Sequence, residues 1–199
     1  MPFTSSTGRS AAVALCGVFA ALTAICSQIS IPLPFTPVPI NLATLSVFLA
    51  GSLLGARLGT LSQFVYVFLG FLGLPVFSQF SGGPAIVLGP TGGYIIGYII
   101  AAFIAGILVR TCNRAAALRI ARGQSSAALQ MVAVPLSLSA ALFACYLLGT
   151  LWFMHLTAAP LPVALVKCVF PFLPGDALKI LLASWLIVRL QPVCRKLIP

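Results

Sequence analysis

Apolar residues in this chain come in long runs, separated by short polar stretches or by stretches rich in Pro and Gly. A helix needs about 20 mostly apolar residues to cross a bilayer. Six runs approach that length: about 11–29, 39–56, 58–75, 92–110, 128–153 and 174–190. The second and third are tightly joined by "GARLGT". Between the third and fourth lies "PVFSQFSGGPAIVLGPTGG", whose "AIVL" is too short to span and either dips back or lies at the interface. Arg9 followed by "SAAVALCGVFAALTAIC" has the look of a signal peptide. The further apolar runs, and the bulky Ile25 before Cys26, favour a retained first span. The expectation is an all-α integral membrane protein with six transmembrane helices, forming a single membrane domain over 1–199.

Composition gives the same solvent. The chain is 61% hydrophobic and 6% charged, against about 25% charged in a soluble domain. The formal charge of +10 does not point to nucleic acid, because the cations lie between apolar runs and report topology instead. With six spans, Arg9, Arg57, Arg110, Arg114, Arg119, Arg122, Arg189, Arg195 and Lys196 share one side, nine of the eleven Lys and Arg. The positive-inside rule makes that side cytoplasmic, with both termini on it. Lys167 falls on the other side, and Lys179 lies a turn inside the last helix. The place for such a chain is the cell membrane, crossed several times.

The same map gathers the unusual loops on the outer side: "SIPLPFTPVP" (30–39), the Gly-rich stretch (75–93) and "HLTAAPLPVALVKCVFPFLPG" (155–175). Proline fixes φ and stiffens a loop, and one proline would be enough to stop a helix. The first loop has four, at 32, 34, 37 and 39. Three shaped loops over six helices predict a vestibule facing outward. Helices in lipid associate through small residues at spacing four. Gly51, Gly55 and Gly59, and Gly89, Gly93, Gly97, Ala101 and Ala105, read as internal bundle packing. The first span has Ala12, Cys16, Ala20 and Ala24, a stripe that faces either the bundle or another membrane protein.

Asp176 is the only acidic residue, and Lys179 follows three positions later on the same helix face. Asp is a favoured N-cap, stabilised by the positive helix end. Against capping alone, Ser, Thr or Asn would cap without placing a charge at the membrane edge, and an ionisable residue within a span is a functional candidate by default. A carboxylate accepting from N–H groups, beside an ammonium donating to a carbonyl, suits a urea or amide edge. Alternatively, the lysine alone holds a ligand carboxylate. In "GPTGGY" (89–94), Thr91, Gly92, Gly93 and Tyr94 open a helix whose exposed N–H groups form an anion site or simply begin the helix, with Thr91 as cap. Asn41, Thr44, Ser62, Gln63 and Gln79 are further polar candidates for the bundle interior. Six scattered cysteines with no CxxC and a single histidine, His155, argue against a metal site. No G-x-x-x-x-G-K-[ST] occurs, so ATP drives this chain only through a partner.

The stretches "IPLPFTPVPINLATLSVFLAGSLLGARLG", "YVFLGFLGLPVFSQFSGGPAIVLGPTGGYIIGYIIAAFIAG" and "FPFLPGDALK" together resemble the BioY family, biotin-binding S components of energy-coupling factor (ECF) transporters. The resemblance runs from the first span to the last and is weakest in the basic loop and the fifth span. It implies a six-helix bundle with an outward-facing biotin site beneath a flexible first outer loop. It also implies a transmembrane coupling protein and two cytoplasmic ATPase subunits as partners, with no catalysis and no cofactor in this chain. The aspartate and lysine that contact biotin in the family map onto Asp176 and Lys179, and Gln79 stands near an expected polar amide. The docking stripe for the coupling protein maps onto Ala12, Cys16, Ala20 and Ala24. Where the family commonly reads "TLQT", this chain reads "NLAT", with Asn41 and Ala43. The chief rival reading is a self-sufficient, proton-coupled transporter in which Asp176 titrates. A third is an assembly protein in which Asp176 only caps.

Overall fold

The computed structural model describes residues 6–125 and 127–197, with side chains over 10–125, 128–191 and at 194. The side chains of Arg9, Arg195 and Lys196 lie outside the described residues. Helix α1 (Ser6–Gln28) leads into a short antiparallel ladder of β1 (Ser30–Ile31) and β2 (Ile40–Asn41), which pairs Ser30 with Asn41 and Ile31 with Ile40. This ladder closes the Pro-rich loop 32–39, whose prolines lack the N–H groups to extend it.

Helix α2 (Ala43–Phe71) is one element by hydrogen bonding, but it is broken at Gly55, which takes φ 82° and ψ 170°. The chain folds back there. In a straight helix Gly51 and Gly59 would stand about 12 Å apart, yet a Cβ on Gly59 would lie 2.6 Å from the Gly51 Cα. Both arms, 43–54 and 56–71, reach the same residue of α1. Thr23 bonds Ser46 on the first arm at 2.9 Å, and Gln63 on the second donates to it at 3.1 Å. The "GARLGT" junction is therefore a helical hairpin. Glycine at 55 supplies a conformation that L side chains rarely adopt.

A 3-10 turn (Ser78–Phe80) and the single-turn α3 (Pro84–Val87) follow, so "AIVL" neither spans nor lies free: Val87 is buried. Helix α4 (Gly92–Ala121) packs against both the α2 hairpin and α5 (Ala127–Thr157). At the α2–α4 crossing a Cβ on Gly51 would strike the Ala102 carbonyl, and one on Gly106 would lie 2.5 Å from the Ala56 Cα. Small residues thus bring backbones into direct contact.

Two stretches expected as loop are helical in part. The fourth span continues to Ala121, so Arg110, Arg114 and Arg119 ride on helix rather than loop. "AAALRIA" consists of strong helix formers. The helix ends in a Schellman turn at Gly123 (φ 71°), where Gly123 N donates to Ile120 O and Gln124 N to Arg119 O. The stretch 155–175 is also not all loop. It holds α6 (Leu161–Cys168), which has Pro at its first turn and precedes α7 (Leu173–Leu197) at a 54° bend. Proline there starts a helix instead of breaking one.

Among the described residues, four helices are long and apolar enough to cross a membrane, and the bent α6–α7 pair is a fifth such unit. With α2 folded into two arms, this is an all-α membrane protein of six apolar segments.

Candidate functional site

At one end of the bundle lies a cavity of about 400 Å³. All three unusual loops line it: Pro32, Leu33 and Thr36 to Pro39 from the first, Phe77 to Gln79, Ser81 and Ile86 from the second, and Cys168 and Phe172 from the third. The helices add Tyr66, Tyr94, Tyr98, Leu142, Cys145 and Tyr146. The 75–81 loop is held from behind by α1. Gln28 donates to the Pro75 and Phe77 carbonyls and accepts from Phe80 N, and Ser27 donates to Val76 O. Phe77 is buried, edge-on to Tyr66 at 5.5 Å, in a space open because residue 70 is glycine.

The polar focus of the cavity is the Asp176–Lys179 pair. Lys179 Nζ donates to Asp176 Oδ1 at 2.7 Å, and the two residues are only 3% and 7% exposed. Capping does not describe Asp176. Helix α7 already begins at Leu173, and the Asp176 amide donates to Phe172 O at 2.9 Å, within the helical ladder. Its carboxylate accepts from side chains instead. Thr44 Oγ1 donates to Oδ1 at 3.4 Å, and the Tyr146 hydroxyl makes a short bond to Oδ2. A buried charge is tolerable when it is paired and its remaining lone pairs are engaged. Lys179 carries three N–H donors, and one goes to Asp176. The rest of its capacity faces the cavity.

The other candidates divide. Asn41, Gln79, Thr91 and Tyr94 line the cavity with the pair. Asn41 is partly engaged already: its Nδ2 donates to Ser78 Oγ at 2.7 Å and its Oδ1 accepts from Ala43 N at 3.1 Å. Gln79 is exposed and takes a left-handed conformation, φ 60°. Tyr94 OH lies 3.2 Å from Thr150 Oγ1. Thr91 makes no side-chain cap. Gly92 and Gly93 are not among the lining residues. They are buried where any Cβ would strike the Val87 carbonyl or the Trp152 side chain. The Gly92 amide is already given to Gly89 O, so the backbone of "GPTGGY" packs a helix start more than it opens an anion cradle. Ala43 is fully buried and does not line the cavity.

Sequence reasoning missed Tyr146 as a partner of Asp176. It sits 30 positions away inside an apolar run, and its only signal was a hydroxyl placed in a membrane span. Thr44 was visible as a polar candidate but not as a partner of a residue 132 positions on.

The stripe on α1 needs a correction. Ala12, Cys16 and Ala20 are buried within the chain itself, Cys16 Sγ approaches Leu58 O at 3.4 Å, and Ala24 is half-buried. Ala12, Cys16 and Ala20 pack α1 onto α2 and present almost no surface to a partner, and Ala24 only part of one. The exposed face of α1 carries Val13, Ala14, Gly17, Val18, Ala21 and Ile25. Spacing four identified the stripe of small residues but not the direction it faces.

A helical membrane bundle with a roofed cavity, aromatic walls and one buried ion pair defines a membrane-embedded receptor for a small polar-headed molecule. The comparisons with known proteins place it further. The chain belongs to the BioY family, whose model matches residues 3–196. It is 38% identical over 179 residues to the probable biotin transporter BioY of Pyrococcus horikoshii, covering 90% of this chain and 95% of that one. It is 34% identical over 188 residues to the biotin transporter BioY of Rhodobacter capsulatus, covering 86% and 88%. The crystal structure of an S-component for biotin from an ECF-type ABC transporter superposes with a TM-score of 0.79 at 28% identity, covering 96% of this chain and 95% of that one.

Proposed function

We propose that this chain is the biotin-binding S-component of an ECF-type biotin transporter, a membrane receptor and not an enzyme. The observation that carries the reading is the buried Asp176–Lys179 pair on the wall of a cavity of about 400 Å³, within the usual range for small-molecule sites. Biotin presents a ureido edge of two N–H groups beside one C=O, and a carboxylate at the end of an apolar chain. Asp176 accepts from N–H, Lys179 donates to a carbonyl or carboxylate oxygen, and Asn41, Gln79, Thr91 and Tyr94 offer further polar contacts. Tyr66, Phe77, Tyr98, Leu142 and Phe172 supply walls for the thioether ring and chain, where sulfur–aromatic contact is favourable.

The cavity faces outward in this reading. Support comes from the distribution of charge: Arg57, Arg110, Arg114, Arg119, Arg122 and Arg189 lie away from the cavity end, on the turn of α2 and the far ends of α4 and α7, as the positive-inside rule requires of a cytoplasmic face. Both termini are then cytoplasmic. Lacking a P-loop, the chain is powered by two cytoplasmic ATPases through a transmembrane coupling protein. That protein meets the exposed face of α1 at Ala14, Gly17 and Ala21 rather than the buried stripe.

Calorimetry on the purified chain tests the binding. Biotin is expected to give saturable heat and a raised unfolding temperature, and the absence of both overturns the proposal. Uptake into proteoliposomes is expected to require the ATPase partners. Uptake by the chain alone, driven by a pH gradient, would replace the S-component reading with the proton-coupled one.

A further inference from the structure

At the end of the bundle away from the biotin cavity, three helices converge on a second cleft of about 210 Å³. The last turns of α4 contribute Asn113, Ala116, Ala117 and Ile120, the start of α5 contributes Gln130, and α7 contributes Val188 and Gln191. Its polar lining is therefore three carboxamides, one from each helix. Asn113 is only 6% exposed. None of the three has a hydrogen-bonding partner among the described residues, although most buried polar groups in folded proteins are paired. Elsewhere in this bundle Thr23, Ser27, Tyr94 and Tyr146 are paired, whereas the Ser52 and Ser62 hydroxyls and Gln63 Oε1 are buried without a partner but border neither cleft.

The surroundings specify charge. Arg110 lies one turn before Asn113 and Arg114 directly follows it, and Arg119, Arg122 and Arg189 lie on the same helix ends. The only acidic side chain of the sequence is at the other end, paired to Lys179. Helix α5 begins at Ala127, which places Gln130 and the positive end of the helix dipole at the cleft. Carboxamides each offer two N–H donors, and donors arriving from three directions match a tetrahedral phosphate, whose oxygens do not lie in one plane, better than a flat carboxylate. The cleft is smaller than the roughly 300–1,000 Å³ of whole-ligand pockets, so it suits a head group. Its other walls are apolar and run outward: Ile120 is 62% and Val188 41% exposed, where acyl chains would lie.

We propose that this cleft binds a phosphate group, supplied by the head group of an anionic phospholipid in the cytoplasmic leaflet. Basic pockets between transmembrane helices on that side bind lipid head groups; here the lining supplies neutral donors and the arginines stand at neighbouring positions of α4 and α7. The site is separate from the biotin cavity, and no residue lines both.

The test uses the full chain in nanodiscs of phosphatidylcholine, with and without phosphatidylglycerol, followed by thermal unfolding. Phosphatidylglycerol is expected to raise the midpoint by about 5 °C or more, the shift expected of a saturating ligand. Gln130→Ala/Gln191→Ala is expected to remove most of that gain while binding biotin like wild type. Asn113→Leu, which fills the cleft with an apolar side chain, should do the same. A third arm adds inorganic phosphate to phosphatidylcholine discs at matched ionic strength. A rise there, with none from phosphatidylglycerol, keeps the phosphate site and makes its ligand soluble. An unchanged phosphatidylglycerol gain in both variants means general charge attraction and overturns the site, as does a wild-type chain that responds to neither ligand.

Discussion

Two of the polar clusters inside this bundle face different things. Asp176, Lys179, Tyr146 and Thr44 border the large cavity and include both charges of a buried ion pair. Thr23, Ser46 and Gln63 are fully buried between α1 and the two arms of α2, line neither cleft, and carry no charge. Neutral hydroxyls and amides are enough to hold helices together in lipid, at around 0.6 kcal/mol per bond in measured cases. A charge pair costs several kcal/mol of desolvation per ion and is a poor way to gain stability. The only acidic side chain stands where a ligand would meet it, and the helices are joined by groups that cost less to bury.

That contrast can be broken from either side. Lys179→Met should have the largest effect, because it leaves a buried carboxylate without its cation. Biotin affinity measured by calorimetry should fall by about 30-fold or more. The unfolding temperature should fall further than in Asp176→Asn/Lys179→Met, which removes both charges. If the double variant is the less stable one, the pair is a stabilising device and the contrast fails. Tyr146→Phe comes next. It deletes one bond to Asp176 Oδ2, and about tenfold weaker biotin binding with a nearly unchanged unfolding temperature is expected.

On the α1–α2 side the readout reverses. Thr23→Val removes the acceptor for Gln63 Nε2 and the partner of Ser46, so thermal or denaturant unfolding should show a loss of about 1–2 kcal/mol with biotin binding intact. The smallest effect belongs to Gln63→Leu. Gln63 Oε1 has no partner among the described residues, so an apolar replacement gives up one bond and relieves one unsatisfied acceptor. Its stability should stay within about 0.5 kcal/mol of wild type. A large loss there would reveal a bridging water at Oε1.

Much of the architecture was legible from runs of apolar residues. The choice of lipid as solvent, the number of apolar segments and the gathering of Pro- and Gly-rich loops at one end all depend on local composition. The "GARLGT" hairpin was legible too, because only a turn rich in glycine lets two apolar runs meet so abruptly. Where the reading slipped, the information was not local. Arg110 to Arg119 read as loop because charge was taken as a boundary, whereas a helix continues past the bilayer as long as its residues favour it. The stretch 155–175 read as loop, but its Pro160 and Pro162 begin α6. Spacing four found the small residues of α1 without revealing that Ala12, Cys16 and Ala20 face inward, since a helix has two sides and periodicity alone does not choose between them.

The division is clearest at "PGDALK". By itself the sequence determined that one carboxylate and one ammonium share a helix face at the head of the last span, because i and i+3 are neighbours on any α-helix. It could not determine that Asp176 lies a turn inside that helix, buried and without a capping role. Nor could it determine that Tyr146 and Thr44 close around the carboxylate from 30 and 132 positions away. Only the tertiary structure decided those points. A side chain's neighbours along a helix follow from covalent geometry, whereas its neighbours across a bundle depend on how every other helix packs.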